Sequence, residues 1–523
     1  MSFVVTGPHD DGDAVTGHYY EMAGLPDQPQ VWVYTAGLSH AAGDEVVLHG
    51  ISTAPVARVT VVRDGLVPMQ VMGAEIAMTW CDTPADCSVR GCDWPEVWRF
   101  VVPGEWASGV YVVTVVIEGH SSQHMFVVRA VQPRNRLVMV LATGTWCAYN
   151  DWGGSNHYQG LVGDRQTDAA HDVSLRRPWA RGFVAWPAGA PRIPHASPLL
   201  TRPRYPHMEF ARARGVSKKY ASSGWAAFER PFALWCEGQG IGLDYMTQHD
   251  LHRDGIGDGI GDGIGYRRAV IVGHDEYWSW EMRDRLDAWL DQGGQLARFA
   301  GNFYWQTRLS VDLATQTCWK VGPDPVAGAR RTTYWDAPEV GRPAVATMGL
   351  TGSMGVYAGW SRCAAHGAGG FVVYRPGHWS LRDTGLGYGD VLGASAKVFG
   401  YEVDGVELGL RQGLPFAEDP VLLGALEIVA MSPATTLSHH TSAADRDLFI
   451  GHLDAEETAR VIYGVVSEET LGRAARGNGC IAEYRRGRGV VFNAGSCEWV
   501  NGLIEREPTV ERVTRRVLMG EWS

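Results

Sequence analysis

Ionisable and aromatic side chains directly follow an apolar run in the segment AVIVGHDEYWSW, residues 269–280. His274, Glu276 and Tyr277 stand where the chain turns from a buried strand towards a helix. Hydrolases often place a serine or cysteine at such a corner, and here carboxylates and a phenol take those places. These groups suit general-base chemistry or the binding of a hard metal ion. The alternative is that the acidic residues only cap the helix that follows.

Three further loops, residues 143–158, 301–305 and 493–499, combine polar and aromatic residues after an apolar run. Ligands of an open parallel sheet bind beyond the carboxyl ends of its strands, where such loops meet. We therefore predict one cleft lined by these loops and by the corner. The predicted catalytic residues are His274, Glu276, Asp151, Asn150 and His157. The predicted substrate-binding residues are Trp146, Trp152, Trp278 and Asn302.

The elements that must position these side chains show two different periodicities. Before the polar linker Gln132–Arg136, short β-branched runs alternate with glycine, proline and aspartate turns, which is typical of a β-sandwich. After the linker, solid apolar runs such as LVMVLATGT indicate parallel strands buried on both faces. We predict an N-terminal all-β sandwich domain, residues 1–132, and an α/β domain with a mainly parallel sheet, residues 133–523.

The segment after the corner is the best-defined unit of the second domain. Ser279 is placed to cap a helix, and apolar residues then recur at helical spacing until Gly293 and Gly294 end it. The apolar run QLARFAGN follows. Strand, helix and strand with short connections form a βαβ unit, which favours parallel strands.

Composition and charge exclude several classes of partner. The chain has 523 residues, too many for one hydrophobic core, and a net charge of −12. That charge argues against nucleic acid, which requires a basic surface, and against anionic membranes. Neither a signal peptide nor an apolar run of membrane-spanning length is recognisable. The nine cysteines have no zinc-type spacing, so we expect a cytoplasmic protein with free thiols.

Motifs for nucleotides and common metals are missing from the sequence. No P-loop, HExxH or convincing GxGxxG motif is present, which argues against a nucleotide cofactor. The repeat DGIGDGIGDGIG, residues 254–265, places aspartate at every fourth position. That spacing does not match an EF-hand loop, so we interpret the repeat as a lengthened loop.

Four stretches together resemble the large (beta) subunit of N,N-dimethylformamidase and its relatives. They read TGTWCAYNDWGGSNHYQG, VSLRRPWARGF, GHDEYWSWEMRD with GGQLARFAGNFYW, and VVFNAGSCEWVNGL. The resemblance runs from about residue 20 to the end. It implies a β-sandwich followed by a flavodoxin-like domain similar to glutamine amidotransferases. It also implies hydrolysis of the C–N bond of a small linear amide.

The resemblance further implies a cofactor, one iron ion held by tyrosine phenolates and a glutamate. Tyr277 in HDEYW matches one tyrosine. A second tyrosine is expected on the preceding helix, where ERPFALWCEG offers Phe232. For the remaining ligand, His366 in CAAHGAGGF and Glu402 in GYEVDG are the candidates.

Two functions remain open at this point. The first is a hydrolase of a non-peptide C–N bond, with water activated by a metal near the corner at His274–Tyr277. The second is a non-catalytic protein on the same fold that binds a carbohydrate or another small ligand in the tryptophan-rich cleft. A small-molecule amide is the expected partner, and a homo-oligomer or a small second subunit is compatible with the resemblance.

Overall fold

The chain folds into two compact units. The computed structural model describes residues 4–6, 12, 17–162, 169–192, 205–257, 265–355, 369–400, 402–435 and 454–522. Unit 1 consists of Met1–Ala190, His207–Arg253 and Thr307–Pro325. Unit 2 consists of Pro191–Pro206, Asp254–Gln306 and Val326–Ser523. In the described ranges, every helix is too short or too polar to cross a membrane.

The strands and helices are numbered along the chain. The strands are β1 (Val4–Thr6), β2 (Tyr19–Glu21), β3 (Val31–Thr35), β4 (Ser39–His40), β5 (Glu45–Ser52), β6 (Val56–Arg63), β7 (Met69–Ala77), β8 (Glu96–Val101), β9 (Gly109–Ile117), β10 (His120–Val128), β11 (Leu137–Leu141), β12 (Asp172–Ser174), β13 (Leu243–Thr247), β14 (Arg268–His274), β15 (Tyr277–Ser279), β16 (Gln295–Gly301), β17 (Trp305–Leu309), β18 (Thr315–Thr317), β19 (Phe371–Val373), β20 (Val391–Leu392), β21 (Leu408–Arg411), β22 (Leu414–Ala417), β23 (Leu426–Thr435), β24 (Arg476–Arg486) and β25 (Gly489–Asn493). The helices are α1 (Cys87–Arg90), α2 (Thr143–Tyr149), α3 (Pro206–Arg214), α4 (Glu229–Gly238), α5 (Gln248–Asp254), α6 (Trp280–Asp291), α7 (Val345–Met348), α8 (Asp454–Tyr463), α9 (Glu468–Ala474), α10 (Trp499–Ile504) and α11 (Pro508–Met519).

Unit 1 begins with a β-sandwich. One sheet has the order β4-β10-β9-β6-β7 and the other the order β3-β5-β8. Alternate residues of β6 and β9 are buried, which is the period expected of a sheet with one face on a core. Val33 and Leu48 from one sheet share a core cluster with Val59, Val113 and Phe126 from the other. The predicted all-β sandwich is therefore confirmed in its two-sheet architecture.

Unit 1 continues beyond the sandwich with a parallel pair of strands. β11 pairs with β13 from Leu137 opposite Leu243 to Leu141 opposite Thr247. Both strands are buried along their whole length, as the unbroken apolar sequence of β11 predicts; the buried Asp244 of β13 accepts hydrogen bonds from Arg134 and Asn135. Since unit 1 extends past residue 132, its limits do not mark the expected domain boundary, and the division at 132/133 stays a prediction.

The sheet of unit 2 is mixed. β14, β16 and β25 are parallel neighbours. The hairpin of β24 and β25 then reverses the direction, and β23, β19 and β20 continue antiparallel. The expectation of a mainly parallel sheet was wrong for this half, because the short turn between β24 and β25 reverses the chain and the strands beyond it pair antiparallel. The likeness to glutamine amidotransferases stays a prediction.

The βαβ unit that the sequence predicts is present between β14 and β16. The Ser279 hydroxyl accepts a hydrogen bond from the Met282 amide at 3.1 Å and caps α6. Gly293 ends the helix turn with a φ of 107°, a backbone conformation that glycine adopts without strain. This connection fixes residues 274–278 at the carboxyl end of β14.

Candidate functional site

Four segments of unit 2 meet beyond the carboxyl ends of β14, β16 and β25. β14 ends at His274, and Glu276 follows in the corner before β15. Asn302 comes directly after β16, and Cys497 follows β25. The fourth segment supplies Glu402, whose carbonyl oxygen accepts a hydrogen bond from the Cys497 amide at 3.0 Å. This is the edge of the sheet where ligands of such folds bind.

The His274 imidazole lies between two carboxylates. Its Nε2 is 2.7 Å from Glu402 Oε2 and 3.3 Å from Glu276 Oε2. The Asn302 amide donates to the same Glu402 oxygen at 2.9 Å. Burial by itself lowers the pKa of His274, but the charges and hydrogen bonds of Glu402 and Glu276 outweigh burial and raise that pKa to about 10. The imidazole is therefore protonated at neutral pH in this arrangement.

Three donor atoms of different chemistry converge at the same point. His274, Glu402 and Cys497 each offer one ligand atom, and these atoms all lie within 4.8 Å of one another. Imidazole, carboxylate and thiolate together suit a borderline divalent ion such as iron(II) or zinc. Burial raises the pKa of the Cys497 thiol, and the charge of Glu402 raises it further. A protonated thiol is a weak nucleophile but loses its proton readily to a bound metal.

A buried guanidinium clamps the loops that carry these donors. The Arg298 side chain pairs with Asp275 at 2.5 and 2.9 Å and with Asp404 at 2.5 Å. It also donates to Asn493 Oδ1 at 3.1 Å. Asp404 in turn accepts a hydrogen bond from the Asn302 backbone amide at 2.6 Å. Because Arg298, Asp275 and Asp404 are inaccessible to solvent, this clamp fixes the geometry of the site.

The buried site carries more negative than positive charge. Four carboxylates (Asp275, Glu276, Glu402 and Asp404) face one guanidinium and one imidazolium. Uncompensated buried charge is costly, and burial raises the pKa of both Asp275 and Glu402. A bound cation would lower the cost of burying these carboxylates. The donor set and the excess of buried carboxylates therefore both fit a metal ion.

Gly301 permits the close approach of two loops. A Cβ atom at this position would lie 2.6 Å from the Glu402 carbonyl oxygen and 2.8 Å from the Cys497 amide nitrogen. Both contacts are with backbone, which cannot move aside cheaply. Any side chain at residue 301 would therefore separate the segments that carry two of the donors.

The aromatic residues of the corner are fully buried. Trp278 donates from its indole nitrogen to the Asp275 carbonyl at 2.6 Å and packs edge-on against Phe303. The Phe303 ring centroid lies 5.9 Å from Arg298 Cζ, so this pair packs beside the clamp. Tyr277 is likewise inaccessible to solvent, and its role as a metal ligand stays a prediction. His366 lies outside the described residues.

The predicted polar residues of unit 1 are hydrogen-bonded within their own loops. Asn150 accepts from the Ala180 amide at 3.0 Å and donates to the Pro178 carbonyl at 3.0 Å. Asp151 accepts from the Ser217 hydroxyl at 2.9 Å. His157 Nδ1 lies 2.8 Å from the Ala170 carbonyl, and burial lowers its pKa to about 3. That these residues share a cleft with His274 stays a prediction.

The predicted tryptophans of unit 1 are buried among neighbours. Trp146 donates to Glu229 Oε1 at 3.0 Å. Trp152 lies edge-on to Trp32 and Trp94, with ring centroids 5.5 and 5.6 Å away. The structure thus places Trp152 in an aromatic cluster against the sandwich, and its role in substrate binding is untested.

Sequence analysis missed three residues of the site, namely Cys497, Arg298 and Asp404. Cys497 lies in the loop 493–499 at the predicted ligand-binding edge, but no zinc-type spacing marks it among the nine cysteines. Arg298 interrupts the apolar run QLARFAG, and a charged residue in a buried strand signals a buried ion pair. Asp404 lies two residues after Glu402, so the two carboxylates could have been considered together.

These features place the protein in a structural class that combines a β-sandwich, a mixed α/β sheet and a buried acidic cluster at the strand ends. The family of N,N-dimethylformamidase beta subunit-like C-terminal domains matches residues 64–511, and the chain belongs to that family. No curated protein matches the chain.

Proposed function

We propose that this protein hydrolyses the C–N bond of a small linear amide at the cluster of His274, Glu276, Glu402 and Cys497. The supporting observation is the excess of buried carboxylates around convergent nitrogen, oxygen and sulfur donors at the ligand-binding edge of the sheet. Membership of the family supports the choice of an amide as substrate.

The cluster has the donors to hold one metal ion, for which the family resemblance favours iron. His274, Glu402 and Cys497 are the residues that would hold it, and Tyr277 is a further candidate. When bound, such an ion supplies Lewis acidity that lowers the pKa of water and polarises a carbonyl group.

The side chains of the cluster can carry out the proton transfers of hydrolysis. Glu276 takes a proton from the attacking water as general base. Glu276 then passes this proton to the leaving amine nitrogen, so that the C–N bond breaks to give an acid and an amine. His274, 3.3 Å from Glu276, orients this carboxylate. Asn302 orients Glu402 through its 2.9 Å hydrogen bond, and Trp278 and Phe303 pack beside the clamp.

We also propose that a smaller subunit accompanies this chain, because the family description names a beta subunit. Co-purification of the native protein followed by mass spectrometry tests this point. Isolation of the native protein as this chain alone would contradict it.

Metal analysis and an amide-hydrolysis assay test the proposed function together. We expect about one metal ion per chain and release of amine from N,N-dimethylformamide or another small amide. Glu276→Gln should lower the rate by about 10²–10⁴-fold, the usual contribution of a general base, and Tyr277→Phe reports on the phenol. Glu505→Gln, at an exposed position, is the matched control. A metal-free protein that turns over none of these amides would contradict the proposal.

One observation favours the alternative, a non-catalytic ligand-binding protein on the same fold. Helix α4 carries the buried Phe232 where the resemblance leads us to expect a tyrosine. Under this alternative the purified protein contains no metal, and Glu276→Gln has no effect on ligand binding.

A further inference from the structure

Unit 1 contains a cavity of about 260 Å³ beside its β-sandwich. Its walls include Trp32 of β3, Ser122 of β10 and the segment Pro178–Pro187, which contributes Trp179 and Trp186. The volume is close to the lower end of small-molecule pockets, roughly 300–1,000 Å³. All the residues that line the cavity belong to unit 1, and none of them is a member of the donor cluster.

Two buried polar atoms of the wall have no hydrogen-bond partner among the described residues. They are the Ser122 hydroxyl oxygen and the Trp179 indole nitrogen. Ser122 is 9 % exposed and Trp179 is 5 % exposed. Buried polar groups are almost always hydrogen-bonded, so two unpaired atoms in one cavity wall indicate a ligand that pairs with them. Both atoms can donate to an acceptor.

The charged groups near the cavity are already neutralised. Arg181 forms an ion pair with the buried Glu21 and also donates to the Gly215 carbonyl oxygen. His124 stacks against Trp179 with a ring-centroid distance of 6.0 Å. Burial lowers the pKa of His124 to about 3, so its ring is uncharged. Among the described residues of the wall, a charged ligand would therefore find no unpaired counter-ion.

The cavity walls also argue against a carbohydrate. A sugar carries several hydroxyl groups, and each requires a partner when it is buried. The two unpaired atoms of Ser122 and Trp179 satisfy only one or two such groups. The Trp186 indole nitrogen is already bonded to the Ala190 carbonyl at 3.2 Å. Three indole rings instead favour a flat, apolar ligand.

We infer that this cavity is a binding site for a small uncharged aromatic molecule that bears one hydrogen-bond acceptor, such as an aryl ketone. The aromatic ring packs among Trp32, Trp179 and Trp186. Its carbonyl oxygen accepts hydrogen bonds from Ser122 and Trp179.

Calorimetric titration with acetophenone tests this inference on the full chain. Acetophenone carries one aromatic ring and one carbonyl group. For a ligand of this size we expect a dissociation constant of about 0.1–1 mM. Benzoate and methyl β-glucoside should bind at least about tenfold more weakly, a difference of 1.4 kcal/mol or more. Equal or tighter binding of either would overturn the assigned ligand class.

Two variants locate the bound molecule. Ser122→Ala should weaken acetophenone binding about fivefold, as expected for one lost hydrogen bond. Trp186→Ala, which removes a half-buried wall, should weaken it more. Trp98→Ala, at a half-buried tryptophan of β8 that does not line the cavity, is the matched control. An unchanged affinity in Ser122→Ala, a variant too conservative to disturb the fold, or an absence of binding at about 10 mM acetophenone would refute the site.

Discussion

Both units bury polar residues beyond the ends of parallel strands, but the hydrogen-bond partners of these residues differ between the units. In unit 1, the buried Arg177 donates to the backbone carbonyls of Ser174, Trp152, Ser155 and Asn150. In unit 2, the buried Arg298 pairs with two carboxylates. The first arrangement uses side chains to hold backbone in place. The second gathers side-chain charges around His274, where the groups are close enough to exchange protons or bind a metal.

This contrast shows that burial and polarity alone do not identify a reactive site. Asn150, Asp151 and His157 are as inaccessible as His274 and Glu402. Their hydrogen bonds run to neighbouring amides, carbonyls and a hydroxyl, which is what a loop needs to stay ordered. Chemistry is indicated where ionisable side chains contact each other.

The contrast predicts unequal effects of two conservative substitutions on catalysis. Glu402→Gln removes a charge and a proposed metal donor beside His274 and should lower amide hydrolysis at least about tenfold, a loss of about 1.4 kcal/mol or more. Asp151→Asn keeps a hydrogen-bond acceptor for Ser217. It should change the rate by less than about threefold, because the activation free energy then changes by well under about 1 kcal/mol. Steady-state rates measure both. An equal loss in the two variants would contradict this contrast and support the predicted catalytic role of Asp151.

The second prediction concerns the stability of the clamp. Arg298→Met leaves Asp275 and Asp404 buried without their partner and should destabilise unit 2 by about 3–5 kcal/mol. Urea denaturation measures the change in the free energy of unfolding. Hydrogen exchange of the backbone amides in β14 and β16 shows whether the change lies in unit 2. Arg516→Met, which breaks the exposed pair with Asp383, should cost less than about 1 kcal/mol. Comparable shifts in the two variants would show that Arg298 does not clamp the loops.

The third prediction concerns the close approach at Gly301. Gly301→Ala places a Cβ against the backbone of Glu402 and Cys497 and should cost about 1–3 kcal/mol. It should also lower metal content, because two donor segments separate. The control is Gly377→Ala, where an added Cβ meets nothing within 4 Å. Full metal content and normal stability in Gly301→Ala would show that the donors do not need this geometry.

The fourth prediction uses the opposite pKa shifts of two buried histidines. His124 of unit 1 has its pKa lowered to about 3 by burial. Below pH 6.5 the unfolded chain therefore takes up a proton that the folded chain cannot, and stability falls by about 1.4 kcal/mol per pH unit. His274 has its pKa raised to about 10, so its contribution is complete below pH 6.5 and is lost as the pH rises towards 10.

His124→Phe should remove its share of the acid sensitivity. Between pH 6.5 and pH 5, the natural chain should lose about 2 kcal/mol more stability than the variant. Urea denaturation at pH 5, 6.5 and 8 measures the free energy of unfolding of both proteins. The difference between them at pH 8, where His124 is neutral in both states, serves as the reference. Parallel pH profiles for the two proteins would refute a neutral buried His124.

Local sequence patterns predicted much of the fold. The run AVIVG, the capping Ser279 and the terminating Gly293 gave β14 and α6, since these signals act within a few residues. The mixed character of the sheet was missed. β19 and β20 are short, and their pairing depends on tertiary contacts rather than on their own sequence.

The candidate site was predicted only in part, because local sequence patterns do not show which distant segments pair. His274, Glu276, Asn302 and Glu402 came from their place after apolar runs or from family resemblance, and the structure brings them into contact. Cys497 and Asp404 reach the site through backbone pairing of distant segments, such as the bridge between Val403 and Ser496. No spacing within a single segment reveals such a pairing.

The clamp at Arg298 also sets the order in which the site can form. Its partners lie 23, 106 and 195 residues away along the chain, and contacts of such long range form slowly because the intervening loops must close first. During synthesis, β14 and β16 leave the ribosome long before Asn493 and Cys497 are made. Until that late segment arrives, Arg298 and the acidic residues remain hydrated, so the charged cluster is buried only as unit 2 closes.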